Sequence, residues 1–134
     1  MPRVTFSPSV SVIVVDCLLE SADGISSLVI PVVRDTGASF TVVATDILVH
    51  LGYDPANPLF TRQRIVTGSG IEYAPRMKLR SVTAIGQKVA NLEVLGHDLP
   101  AESGISGLLG LNFLRHFRLT VRFRKGIVEL ARER

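Results

Sequence analysis

What most limits how this chain can fold is the period of its apolar residues. Short runs alternating between apolar and polar positions recur along its length, separated by turn residues such as Ala22-Asp23-Gly24, Thr67-Gly68-Ser69-Gly70 and Lys125-Gly126. A strand sends successive side chains to opposite faces, so this period spells a sheet with one face buried. The pattern predicts a hairpin of residues 10–19 and 27–33 around the Asp-Gly turn, and a second pair within 62–79 around the Gly-Ser-Gly tip. Strands over 81–85 and 89–95 follow, and 118–124 with 127–131 form a closing pair. Two segments change to helical spacing. Residues 44–52 align Ile47, Leu48 and Leu51, with Thr45 or Asp46 as a cap and Gly52 as the stop; residues 110–117 bring together Phe113, Leu114 and Phe117. The expectation is an all-β fold with one or two short helices. At 134 residues and 46% hydrophobic, the chain suits a single domain over 1–134.

Several function classes are excluded at this stage. The apolar run Val10-Ser11-Val12-Ile13-Val14-Val15 ends at Asp16, far short of the ~20 residues of a membrane span. No basic cluster precedes it, which argues against a signal peptide and for a cytoplasmic protein or the soluble domain of a larger precursor. The one cysteine, Cys17, has no internal partner and reads as a small core residue. The net charge of +3 is concentrated toward the C-terminus, where Arg118, Arg122 and Arg124 alternate with apolar residues. That is the solvated face of a strand, and without outer-face aromatics for base stacking it does not indicate nucleic-acid binding. His50, His97 and His116 lack metal-ligand spacing, and Ser106 in Gly104-Ile105-Ser106-Gly107 is not a nucleophile elbow.

The chemistry that remains is carried by Asp35-Thr36-Gly37, directly after the apolar strand Leu28-Val29-Ile30-Pro31-Val32-Val33. The strand delivers a carboxylate to a loop, Gly37 lets the backbone turn close to the acid, and Thr36 offers a hydroxyl for cross-linking loops. One carboxylate cannot both activate water and protonate a leaving amine. Two within hydrogen-bonding distance can, because their repulsion makes the pair keep one proton. No second Asp-Thr-Gly or Asp-Ser-Gly occurs in the chain, so the second acid must come from another copy across a twofold axis.

The order of apolar strand, Asp35-Thr36-Gly37-Ala38-Ser39, short strand and helix, glycine-bearing hairpin and Leu108-Leu109-Gly110 resembles the retropepsin-like aspartic proteases over roughly residues 9–131. The resemblance implies a closed-barrel acid-protease fold with one catalytic loop per chain, acting as a homodimer on a peptide or protein substrate. It makes Asp35 the catalytic acid and Thr36 the residue locking the two loops, with Gly37 completing the motif. It assigns substrate contacts to Ala38 and Ser39, reads Thr67, Gly68, Ser69 and Gly70 as the tip of a flap, and gives Leu108, Leu109 and Gly110 a supporting role beneath the catalytic loop. No cofactor or metal is implied. Tyr73 reads as a cross-strand packing residue rather than a flap tyrosine.

Two features depart from the family pattern. Arg34 stands where an aliphatic residue is usual, and alternation points it away from Asp35, toward solvent or an interface salt bridge. The chain also continues past the Gly110 helix with a strand pair, which implies a different dimer contact. The rival expectation is a catalytically inactive domain of the same fold, serving as a dimerisation or peptide-binding module.

Overall fold

The computed structural model describes residues 3–7, 12–67, 70–100 and 103–132. Its strands are β1 (Arg3–Thr5), β2 (Val14–Glu20), β3 (Ser27–Arg34), β4 (Thr41–Val43), β5 (Arg62–Thr67), β6 (Gly70–Ala84), β7 (Gln87–Gly96), β8 (Gly107–Leu109), β9 (Phe117–Arg122) and β10 (Ile127–Arg132). The helices are α1 (Thr45–His50) and α2 (Leu111–Leu114). The start of the first expected strand, residues 10 and 11, lies outside the described residues.

Hydrogen-bonded neighbours run β2-β3-β8-β4-β7-β6, and β2 also pairs with β6, so these six strands close into a barrel while β5 extends β6. Burial follows the alternation the sequence announced. In β2, Val15, Cys17 and Leu19 point inward at 3% exposure or less, while Val14 and Leu18 remain exposed. Burial also pushes the Cys17 thiol pKa up to about 12, because an apolar interior disfavours the thiolate.

Three local results differ from expectation. The strands expected within 62–79 and at 81–85 share one continuous element, since β6 runs unbroken over fifteen residues. It turns into β7 at Ile85-Gly86, both with positive φ, as a tight hairpin of matching twist requires. Ile85 tolerates this strained conformation while its side chain is buried. Helix α1 has Ala44 as its N-cap without a side-chain cap; the Thr45 N–H instead donates to Asp98 Oδ1 at 3.0 Å. Finally, β1 pairs antiparallel with β10, which pairs with β9, forming a second sheet of three strands. Val128 and Leu130 of that sheet join Phe113 and Phe117 in the barrel core.

Candidate active site

The site is built where β8 inserts between β3 and β4. It runs parallel to β3, with Val33 opposite Leu108 and Arg34 opposite Leu109, and antiparallel to β4, with Val42 opposite Leu108. Parallel neighbours cannot be joined by a tight turn, so this insertion brings together segments about 70 residues apart in sequence. The loop leaving β3 carries Asp35, and the segment leaving β8 lies directly beneath it.

Backbone hydrogen bonds fasten the two together. The Asp35 N–H donates to Leu109 O at 3.0 Å, Leu111 N–H to Ala38 O at 2.8 Å, and Asn112 N–H to Ser39 O at 3.2 Å. A Cβ on Gly110 would collide with the Phe40 carbonyl, and one on Gly107 with the Val42 carbonyl. The Leu108-Leu109-Gly110 segment therefore lies against the loop, and its glycine is there because backbone meets backbone.

Asp35 is half-buried, and the Gly37 N–H donates to its Oδ1 at 2.9 Å. Thr36 and Ser39 are exposed, whereas Ala38 is half-buried. A groove of about 510 Å³ opens beside them, lined by Gly37, Ala38, Ser39 and Phe40 on one side and by Gln63, Ile65 and Val66 of β5 on the other. Asp35 itself borders a smaller cavity of about 250 Å³ with Phe6, Val12 and Phe123. A further cavity of about 590 Å³ around Tyr53, Phe60 and Arg76 touches no residue of the Asp35 loop. Its volume is no argument for function, because the carboxylate is elsewhere.

Of the four residues assigned to the hairpin tip, Gly68 and Ser69 lie outside the described residues. Thr67 ends β5 and pairs with Gly70, which opens β6. Tyr73 stands opposite Arg64 on the exposed face of this hairpin. Arg64 lines the groove, whereas Tyr73 is not among its lining residues. His97 lines the groove as well, with Nε2 3.5 Å from Glu72 Oε2 on β6.

Arg34 makes no ion pair among the described residues, and its Nε is buried without a hydrogen-bond partner. The solvent-facing setting expected for it is met only in part, as Arg34 is half-buried; the alternative, an interface salt bridge, concerns a second copy of the chain. Arg34 and Asp35 border the same 250 Å³ cavity, so the expected separation onto opposite faces is not seen: β3 ends at Arg34, and strand alternation does not carry on into the loop.

Two residues at the site were missed in sequence. Thr41 is 2% exposed; its hydroxyl accepts from the Gly110 N–H at 3.1 Å and donates to Asn112 Oδ1 at 2.9 Å. The Asn112 side chain also takes the Thr41 N–H at 2.8 Å and donates from Nδ2 to Glu93 O at 2.5 Å. A polar Asn inside the apolar stretch Leu111-Asn112-Phe113-Leu114 was the available signal, since an amide half-buried among apolar neighbours demands partners.

A closed six-stranded barrel with one Asp-bearing loop braced by a hydrophobic-hydrophobic-glycine segment is the retropepsin-like kind of acid-protease architecture. Among solved structures, the chain is similar to a retropepsin-like aspartic protease from Rickettsia conorii, with 20% identity, a TM-score of 0.69, and coverage of 96% of this chain and 98% of that one. The family model for aspartyl proteases matches residues 23–113. The chain belongs to the aspartyl protease family, and its class of activity is peptide hydrolysis. No curated protein matches it.

Proposed function

We propose that two copies of this chain associate about a twofold axis and place their Asp35 carboxylates on either side of one water. The observation that carries this reading is the single Asp-Thr-Gly loop, braced from beneath by Leu108-Leu109-Gly110 and opening beside a groove of about 510 Å³. In the pair, one ionised carboxylate removes a proton from the water as its oxygen attacks the scissile carbonyl. The other, protonated, gives its proton to the carbonyl oxygen, forming a neutral tetrahedral diol. Collapse of that diol returns a proton to the departing amine. No cofactor is needed.

Thr36, exposed at the loop, links the two loops across the axis, and the Gly37 amide helps hold the carboxylate in place. The β5–β6 hairpin with Thr67, Gly68, Ser69 and Gly70 at its tip serves as the flap. It covers a substrate held in extended form against Ala38 and Ser39 by main-chain hydrogen bonds. Residues 1–134 act as one such domain. In this reading, Arg34 and the β9–β10 pair contribute to a dimer contact of their own kind.

Asp35→Asn should abolish cleavage of a casein-derived peptide mixture at mildly acidic pH while leaving folding and dimerisation intact. Full activity in that variant would sink the mechanism. Analytical ultracentrifugation supplies the second test, because a chain that stays monomeric with substrate present cannot assemble two carboxylates. Inhibitor-free peptide binding without cleavage by the wild type would favour the inactive module instead.

A further inference from the structure

Arg76 lies 41 residues beyond Asp35 in sequence, with no role in the chemistry above, yet its side chain reaches both walls of the groove. It stands in β6 just below the flap hairpin, where its N–H donates to Thr61 O at 2.8 Å. Its guanidinium grips Glu93 of β7 as a fork: Nη2 lies 2.8 Å from Oε2 and 3.0 Å from Oε1, and Nε lies 3.3 Å from Oε2. Across the register, Arg76 faces Leu95 while Glu93 faces Lys78, so the two are diagonal neighbours on one sheet face.

The same guanidinium lies over the ring of Phe40, 5.0 Å from its centroid. Phe40 follows the Asp35 loop and lines the groove. On its other edge, Nη1 is 3.5 Å from Oε1 of Gln63, which lines the groove from β5. Glu93 closes the circuit, because its carbonyl accepts from Asn112, whose side chain holds Thr41 next to Phe40.

We propose that Arg76 is a positioning residue: clamped by Glu93, its guanidinium fixes the Phe40 wall of the groove relative to the flap-bearing hairpin, and so sets how tightly a peptide is held. A guanidinium suits this position, since it can fork a carboxylate and stand over a ring at once. The role concerns binding rather than the chemical step, because none of these atoms belongs to the Asp35 loop's carboxylate or its hydrogen bonds. It rests on the peptidase reading for its kinetic consequence.

The test compares Arg76→Met, Glu93→Gln, and the exchanged pair Arg76→Glu with Glu93→Arg, using one peptide cut by the wild type. Arg76→Met should raise KM about tenfold with kcat within about twofold. Combined with Phe40→Leu, it should add little further, because both remove the same contact. The exchanged pair should restore stability but not KM, since the guanidinium then leaves Phe40; Glu93→Gln, a milder change, should raise KM less. An unchanged KM in Arg76→Met, an additive effect with Phe40→Leu, or recovery of KM by the exchanged pair would overturn the proposal. If the wild type cleaves nothing, the peptidase reading has failed, and amide hydrogen exchange still decides. Arg76→Met should then speed exchange in residues 39–42 and 62–66 together, and unchanged exchange in both segments overturns the coupling.

Discussion

The Asp35 loop and the β5–β6 hairpin face each other across one groove and are held in opposite ways. The loop is tied down by backbone bonds from Leu109, Leu111 and Asn112, by the Thr41–Asn112 side-chain pair, and by two glycines packed against carbonyls. Beyond Arg76 the hairpin is held by its own ladder and by a 3.5 Å contact from His97 to Glu72, and it exposes Val66, Ile71 and Tyr73 at 77%, 54% and 64%. A reacting carboxylate has to be held to a fraction of an ångström, which takes packing and buried hydrogen bonds. In the proposed reading the hairpin is a cover that has to open, and mobile elements come from the weakly packed end of a structure.

That contrast can be broken at several points. Cys17, on the barrel wall, gives the largest signal: at pH 8 the native thiol should react with an alkylating reagent at least ~1,000-fold more slowly than in urea, given ordinary domain stability. Because burial raises its pKa from 9.0 to about 12, the neutral thiol is the favoured native form. The associated stability is present below pH 9 and is lost as pH climbs toward 12. Chemical denaturation across that range checks the sign. Alkylation as fast as in urea would mean the barrel is loose.

Gly110→Ala drives a methyl into the Phe40 carbonyl and should cost about 3 kcal/mol in urea unfolding. Gly70→Ala is the matching change in the hairpin: its φ of +125° is strained for alanine, yet nothing lies within 4 Å of the new methyl, so about 1 kcal/mol is expected. Equal costs would erase the distinction between the regions. Asn112→Ala removes the acceptor of both Thr41 bonds and should cost about 1–3 kcal/mol, with the loop losing hydrogen-exchange protection before the hairpin does. Smallest of all, Tyr73→Thr on the hairpin's exposed face should stay within about 0.5 kcal/mol. A larger loss would show that this face is packed against something.

Much of the site was legible because it is written locally. Strand alternation, the Asp-Thr-Gly turn and the Leu-Leu-Gly segment each occupy a few adjacent residues, and a strand's inward face follows from its period of two. What was not legible depends on residues far apart in the chain. Nothing around Arg76 points to Phe40 or Glu93, and nothing near Thr41 points to Asn112, 71 residues away. Strand β1 escaped notice because three residues carry no readable period. For Arg34, alternation showed neither the burial of its Nε nor the cavity it shares with Asp35, because a period of two stops where the strand stops.

By itself, the sequence determined that this chain would build sheets, where the carboxylate-bearing turn would fall, and that one chain carries one such acid. Those are properties of neighbouring residues, set by backbone sterics and by the apolar period. Only the tertiary structure decided that β8 slots between β3 and β4, that β2 meets β6 to close the barrel, and that the groove's two walls share one guanidinium. Such pairings are chosen by packing and hydrogen-bond satisfaction across the whole molecule, which no local pattern encodes.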